Sequence, residues 1–338
     1  MLTYIIKRIV LALFTLFIIL FTSYALLRLA PGDPSRSDVM GGGDSAGMLN
    51  TRDNQLNSNI SIREQLDLDK PLHVGFFRWF KKIVTKGDFG TSATVDPGKP
   101  VTERIGERLA VTVKLNVWAI IITYLCAIPI GVFTAGKEGS FADRAAEFGL
   151  FVLYSLPVMW AGLLLQSLLC EGGTFPIFPL KGITPENPEN LSIWRLQLES
   201  IRCYFLPVVC LSYGGFAGLS RYTRTSMLEV LRSDFIRTAR AKGLHPTTIL
   251  WQHAFRNALI TMITLFSGIL PSLVAGSVLV EHIFNIPGMG SLSLLSLSSR
   301  DYPLQMALFA FSGALTLAGL FISDLLYMAA DPRIRLDK

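Results

Sequence analysis

The sequence predicts an all-α membrane protein with six transmembrane helices, and three observations lead to that prediction. Hydrophobic residues make up 51% of the chain and charged residues only 17%, whereas a soluble domain carries about a quarter charged residues. Six stretches without a charged residue approach or exceed the roughly 20 apolar residues that a helix needs to cross a bilayer. The basic residues between these stretches are unevenly distributed, as the positive-inside rule expects of a membrane protein.

Each apolar stretch is predicted to be a helix, because lipid offers a lone segment no other way to satisfy its backbone polar groups. The six predicted spans are 9–27, 115–135, 148–170, 203–220, 258–280 and 302–323. The first span could instead be a signal peptide, since Lys7 and Arg8 precede it. Its apolar run is longer than a usual signal core, and no clear A-x-A cleavage site follows, so we favour a span. Prolines inside four of the spans, at positions 129, 157, 207 and 271, predict kinks.

Loop charge predicts the orientation of these helices. With the N-terminus inside, the inner segments carry a net charge of +8 in sum and the outer segments 31–110, 170–202 and 282–301 carry −1. The excess lies mainly in segment 221–257, where seven basic residues face only Glu229 and Asp234. We therefore expect a multi-pass protein with both termini in the cytoplasm.

These spans divide the chain into four predicted parts. Residues 1–30 form an N-terminal transmembrane helix, and 31–110 form an extracytoplasmic loop. Residues 111–330 form a five-helix core that includes the cytoplasmic loop 221–257, and a cytoplasmic tail follows. The tail covers residues 331–338.

The two larger outer segments carry features of their own. Leucines and aromatic residues within 62–86 predict a helix on the outer membrane face, although these aromatics could equally be simple interfacial anchors. The segment 171–202 has four prolines and is predicted to be irregular. Cys170 and Cys203 flank it on the outer side, where a disulfide could persist. A bridge and two free buried thiols both remain open.

The inner segment 221–257 is too long and too regularly patterned for a simple connector. One apolar stripe at helical spacing consists of Leu228, Leu231, Phe235 and Ala239. Gly243 follows as a helix-ending residue that tolerates a left-handed backbone, and Pro246 suits the first turn of a second helix. The pattern predicts two short helices joined by a tight turn at Gly243. An amphipathic helix resting on anionic lipid is the alternative.

The wording of this segment, "YTRTSMLEVLRSDFIRTARAKGLHPTTILWQHAFRNALI", resembles the cytoplasmic loop of dipeptide and oligopeptide ABC importer permeases. The resemblance extends along the chain through "LAPGDP", "LDLDKPL…GDFGTS…PV", "SVLVEHIFNIPGMGSL", "SSRDYP" and "DLLYMAADPRIRL". In that family the loop contains an EAA-type coupling helix that docks on the ATPase. Aligned on Gly243, the EAA triplet of the general EAAxxxG form falls on Arg237, Thr238 and Ala239. Only Ala239 and Gly243 match that form.

The resemblance implies a type I ABC importer transmembrane domain in the bacterial cytoplasmic (inner) membrane, forming half of a translocation path for peptides or similar small solutes. The ATPase-coupling residues that it implies are Phe235, Arg237, Thr238, Ala239, Arg240, Ala241, Lys242, Gly243 and Leu244. The implied partners are a homologous second permease, two ATPase subunits or one fused pair, an extracytoplasmic solute-binding protein and membrane lipid, with no nucleic acid. The substrate-binding residues cannot be identified from the sequence.

Several other classes of site are disfavoured by the sequence. A phosphate-binding loop would need Ser or Thr after Lys137, but Glu138 stands there, so ATP hydrolysis is expected on a separate chain and this subunit is not expected to be an enzyme. The four histidines fall in no metal-binding motif, and we expect no catalytic residue, metal or other cofactor. An ion-coupled secondary transporter is the main alternative. Such carriers usually keep ionisable groups within their spans, and none is found here.

Overall fold

The fold was analysed in a computed structural model, which describes residues 2–29, 70–180, 182–183, 192–259, 273 and 276–330. In this part of the chain the regular structure is helical, apart from two isolated β-bridges. The helices are α1 (Leu2–Leu29), α2 (Leu72–Lys86), α3 (Val101–Gly136), α4 (Phe141–Ser155), α5 (Val158–Leu169), α6 (Ile193–Leu231), α7 (Asp234–Ala241), α8 (Pro246–Thr248), α9 (Val278–Ile283), α10 (Met289–Ser298) and α11 (Tyr302–Ala330). A π-helical segment, Ile249–Phe255, continues directly from α8. The predicted all-α class is confirmed.

Four of the predicted spans lie inside α1, α3, α6 and α11, each long and apolar enough to cross a membrane. The helices α3 and α6 have 36 and 39 residues, so both extend well beyond the apolar stretches that predicted them. Pro129 and Pro207 lie inside these two helices without ending them.

The third predicted span is not one kinked helix. It is divided into α4 and α5, whose axes differ in direction by 92°. Leu156 is extended (φ −77°, ψ 119°) and Pro157 precedes the first turn of α5. The steric clash of a proline ring with the preceding residue disfavours helical backbone there. The predicted kink at Pro157 is thus a complete break between two helices.

Most of the fifth predicted span, 258–280, lies outside the described residues, including Pro271, so the count of six helices stays a prediction. Its last residues are described and correct the predicted boundary. Gly276 has φ +66° and Ser277 is extended, so no continuous helix reaches position 280. A new short helix, α9, begins at Val278.

The chain separates into two compact units. The first comprises residues 1–110 and 288–318. In it α2 packs its buried aromatic residues Phe76 and Trp79 against Leu20 and Tyr24 of α1. Phe76 makes edge-to-face contacts with Phe17 and Phe21, whose ring centroids lie 5.4 and 5.1 Å away. The buried aromatics of α2 are therefore packing residues, whereas the predicted part 62–69 of that helix lies outside the described residues.

The loop after α2 is held by one buried carboxylate in the same unit. Asp301 Oδ2 accepts hydrogen bonds from Ser92 Oγ at 2.5 Å and from three successive backbone N–H groups, each at 3.1 Å. Those three N–H groups belong to Ala93, Thr94 and Val95. The other oxygen, Oδ1, accepts from the N–H of Leu304 at the start of α11. Asp301 thus joins the loop to that helix.

The second unit comprises residues 111–287 and 319–338, and α3 and α6 lie close together within it. A Cβ added to Gly131 would lie 2.5 Å from Cβ of Thr223, so only glycine fits at this approach. Ser212 and Ser220 of α6 donate hydrogen bonds to carbonyls of α3 at 3.1 and 3.0 Å. Small residues and hydroxyl groups are the usual means by which membrane helices associate.

The predicted irregular segment 171–202 is shorter than expected, because α6 already begins at Ile193. Residues 181 and 184–191 of this segment lie outside the described part. Cys170 and Cys203 at its ends are both buried and free, which resolves the two alternatives in favour of free thiols.

Candidate functional site

The predicted coupling loop forms two short helices joined by a tight turn. The first, α7, ends at Ala241, and Gly243 then adopts φ +74°, the left-handed conformation that its identity predicted. Pro246 occupies the first position of α8, and the side chain of His245 caps that helix by accepting from the N–H of Thr247. The predicted glycine-centred turn and the role of the proline are confirmed.

The predicted apolar stripe is wrong in one respect. The helix does not run through 228–239, because α6 ends at Leu231 and Ser233 precedes a new helix at Asp234. The change of direction buries Ile236 and Ala239 and leaves Phe235 47% exposed. Phe235 therefore faces solvent instead of continuing the apolar stripe.

Buried residues fix α7 to the rest of the second unit. Ile236 and Ala239 belong to one cluster with Met227 of α6 and with Ile249 and Ala254 of the π-helical segment. Full burial of an aliphatic side chain of this size contributes about 1.5–3 kcal/mol. The inner face of α7 is therefore packed against α6 and the π-helical segment.

The outer face of α7 and the following turn form a continuous exposed surface, here called the coupling surface. Its exposed members are Phe235, Arg237, Thr238, Arg240, Ala241, Lys242, Gly243 and Leu244. The remaining predicted residue, Ala239, is buried beneath it. Three of the members are basic, and Arg237 donates a hydrogen bond of 3.2 Å to Asp234. A protruding turn with aromatic, aliphatic and basic groups can bind a cleft that has an apolar floor and acidic edges.

A buried ion pair lies where α4 begins, and the sequence analysis did not identify it. Arg224 of α6 donates two hydrogen bonds to the carboxylate of Asp143, from Nε at 3.1 Å and from Nη2 at 2.8 Å. Glu147 lies 3.5 Å from the same guanidinium. Asp143 lies before the apolar run that begins at residue 148. The side-chain hydrogen bond with Arg224 lowers the pKa of Asp143 below its usual value. The pair is therefore charged at physiological pH.

Sequence spacing offered no signal for this pairing, because the two residues are 81 positions apart. A second and weaker pair joins Arg232, which follows α6, to Glu138 in the connection between α3 and α4, at 2.9 Å. Both of its side chains are largely exposed, so solvent screening leaves it a small contribution. The pair of Arg224 with Asp143 thus directs part of the positive charge of segment 221–257 inward, whereas Arg232 remains at the surface.

The described residues show no other chemical centre. They contain no group of three or more His, Cys, Asp or Glu side chains that could hold a metal ion. The glycine-containing stretch that ends at Lys137 lies in the last turns of α3 and not in a loop after a strand. Gly131 serves there for close packing against α6.

The sequence matches two family models that together cover most of the chain. Residues 127–336 match the model described as binding-protein-dependent transport system inner membrane component. Residues 1–116 match the N-terminal model of the membrane component of the same systems.

Full-length relatives have the same kind of name. The chain is 37% identical over 335 residues to the oligopeptide transport system permease protein AppB of Bacillus subtilis, covering 99% of both chains. It is 32% identical over 352 residues to the dipeptide transport system permease protein DppB of Alkalihalophilus pseudofirmus, covering 99% of this chain and 100% of that protein. It is also 32% identical over 362 residues to the peptidoglycan transport system permease protein YejB of Agrobacterium fabrum, covering 99% and 98%.

Proposed function

The chain belongs to the family of binding-protein-dependent transport system inner membrane components, and from that premise we propose that it forms half of the path through which an ABC importer carries peptides or similar small solutes. It is an ABC transporter permease located in the inner membrane. The substrate class is supported by the relatives, whose names include oligopeptide, dipeptide and peptidoglycan transport systems.

The proposal assigns ATP hydrolysis to separate partner chains, either two ATPase subunits or one fused pair. A homologous second permease completes the path, and an extracytoplasmic solute-binding protein delivers the substrate. Dependence on a binding protein is stated in the family description itself. The proposed orientation places both termini in the cytoplasm, supported by the net charge of +8 on the segments assigned to that side. The four-part division of the chain belongs to the same proposal.

The coupling surface is the proposed contact with the ATPase, and one observation carries that assignment. Its outer side exposes aromatic, aliphatic and basic groups while Ile236 and Ala239 beneath it are packed into the second unit. A surface built in this way can bind a partner and transmit its movement. An amphipathic helix resting on lipid, the alternative reading, would be expected to direct its aliphatic residues toward the membrane instead of into the protein core.

The test is purification of the tagged chain from cells that express the complete transporter. Replacing Arg237, Arg240 and Lys242 together with Gln is expected to lower the amount of ATPase recovered at least tenfold, because three charge-assisted contacts are lost. A matched control replaces three exposed lysines of α2, at positions 81, 82 and 86. Equal recovery of ATPase from both variants would overturn the assignment of the coupling surface.

An ion-coupled secondary transporter is separated by reconstitution of the purified chain alone. Such a carrier transports its solute in proteoliposomes under an ion gradient without any ATPase. The proposed permease transports only when its partners, the binding protein and ATP are all present. Gradient-driven uptake by the chain alone would contradict the proposed function.

A further inference from the structure

We propose that Arg224 and Tyr213 of α6 hold the two ends of α4, so that α4 moves together with the coupling surface about the break between α4 and α5. These two residues are called the α4 clamp. The inference rests on the proposed function, because it assigns the route by which movement of α7 reaches the membrane-embedded helices.

The first contact of the α4 clamp is at the start of α4. Both hydrogen bonds of Arg224 end on the carboxylate of Asp143, and that side chain is only 2% exposed. Asp143 is itself fixed, since its N–H donates to Ser140 Oγ at 3.2 Å and its Oδ2 accepts from the N–H of Gly139 at 2.9 Å. The guanidinium therefore holds the backbone at the N-terminus of α4, and not merely a mobile side chain.

The second contact is immediately after the end of α4. Pro157 has no N–H and disrupts the helical hydrogen bonding here, and Leu156 is extended. The hydroxyl of Tyr213 donates a hydrogen bond of 2.8 Å to the carbonyl of Leu156. The side chain of Tyr213 is 8% exposed, so this bond is shielded from water. Without this hydrogen bond, the carbonyl of Leu156 would lose its partner at the break.

Both contacts come from one face of one continuous helix. Arg224 and Tyr213 lie in α6, eleven positions apart, which is close to three turns of about 3.6 residues each. A helix is stiff over this length, so the two ends of α4 are tied to a single rigid rod. We infer that α4 cannot rotate or slide relative to α6 while both contacts hold.

The same rod continues to the coupling surface. Met227, one turn after Arg224, is fully buried in the cluster that holds Ile236 and Ala239 of α7. Movement of α7 is thus applied to α6 within one turn of the guanidinium that holds α4. Packed side chains therefore connect the coupling surface to the part of α6 that carries Arg224.

The helix α5, which follows the break, contacts α9. Gln166 of α5 donates a hydrogen bond of 3.1 Å from Nε2 to the carbonyl of Ile283. Gly162 also lies against Ile283, whose Cδ1 would be 3.2 Å from an added Cβ. The helix α5 also packs against α6, but α4 is tied to α6 at both ends and α5 is tied to α9 in addition. The extended residue Leu156 lies between these two sets of contacts and is therefore the point where we expect the two helices to turn relative to each other. Hinges of domain movements are typically a few residues of this kind.

The experiment uses the complete transporter reconstituted in proteoliposomes and measures solute taken up per ATP hydrolysed. The variants are Asp143→Asn, Arg224→Gln, their double variant and Tyr213→Phe. We expect each single variant to lower uptake per ATP at least fivefold. The double variant should lie within twofold of the worse of its two single variants, because residues that act only through one another are non-additive. Arg232→Gln, which breaks only the exposed pair with Glu138, is the matched control and should lie within twofold of the wild type.

A second measurement follows the movement of α4 relative to α5 at the break. Spin labels at position 141 on α4 and position 163 on α5, both exposed, are expected to change their separation when ATP binds. In the Asp143→Asn and Tyr213→Phe complexes that change should fall to less than half of the wild-type value. A protein that was merely less stable would still show the full change in its surviving fraction.

The α4 clamp is overturned if all three single variants retain uptake per ATP within twofold of the wild type, or if the label separation responds to ATP as in the wild type. Should the charged-pair variants fail to assemble, Tyr213→Phe, which removes one hydroxyl, decides the question by the same two measurements. A wild-type complex without ATP-dependent uptake would instead contradict the proposed function. The two failures are therefore distinguishable.

Discussion

Replacement of Gly243 tests the mechanical role of the coupling loop directly. Gly243 has φ +74°, and no atom lies within 4 Å of where a Cβ would be placed. A side chain here therefore causes no collision, and its cost is the strain of a left-handed backbone alone. For an ordinary L-residue that strain is about 1–2 kcal/mol, and a free energy of this size changes an equilibrium by roughly 5- to 30-fold.

We therefore expect Gly243→Ala to lower uptake per ATP hydrolysed by up to about 30-fold, because the turn that completes the coupling surface is no longer held in one conformation. Gly243→Asn should lose less, since Asn tolerates the left-handed region better than other residues. Gly243→Val should lose more, because β-branched residues tolerate it least. Membrane insertion and basal ATP hydrolysis by the partner chains should be unchanged.

The matched control is Gly87, which ends α2 with φ +62° and also has no atom within 4 Å of an added Cβ. Gly87→Ala carries the same kind of backbone strain but lies in the other compact unit, outside the coupling loop. It should leave uptake per ATP within twofold of the wild type. Normal uptake by Gly243→Val, or equal loss in Gly87→Ala and Gly243→Ala, would refute the assignment of a rigid lever.

Three further predictions concern packing and redox state. Phe76→Ala should destabilise the purified chain by about 3–5 kcal/mol, whereas Phe77→Ala, whose ring is 57% exposed, should have a small effect in the same thermal unfolding assay. Asp301→Asn should expose the loop it holds to limited proteolysis, because both carboxylate oxygens accept hydrogen bonds and the amide NH2 would face a donor at one of the two positions. An unchanged cleavage rate would contradict that role. Cys170 and Cys203 should both be alkylated in unfolded protein without prior reduction, since both are free thiols, and a requirement for reductant would contradict the structure.

The features that could be predicted from the sequence are those set by local rules. Span length and missing charge located α1, α3, α6 and α11, because a bilayer demands a long apolar helix whatever packs against it. Gly243 and Pro246 were placed correctly, because each has a backbone preference that neighbouring residues hardly alter. The same kind of rule could have located the break before α7, where Ser233 and Asp234 form a typical helix start. Hydrophobic periodicity outweighed that signal and misplaced Phe235.

The features that could not be predicted depend on contacts between distant residues. Pro129 and Pro207 lie within continuous helices, whereas Pro157 follows a complete break, although all three are prolines in apolar surroundings. At Pro157 the hydroxyl of Tyr213 provides a partner for the neighbouring carbonyl, and no pattern within the span announces that contact. Tertiary contacts thus distinguish a bent helix from a broken one.

The positive charge of segment 221–257 has more than one use, which a charge count cannot reveal. Arg224 turns toward Asp143 and joins α6 to the start of α4, whereas Arg232 makes only an exposed pair with Glu138. Arg240 and Lys242 lie on the coupling surface and have no ion-pair partner among the described residues. The basic excess that predicts the orientation of the chain is therefore divided between the contact of Arg224 with α4 and the proposed partner-binding surface. Met227 and the core beneath α7 connect the two regions, so under our proposals the surface that binds a partner rests on the packing that leads to α4.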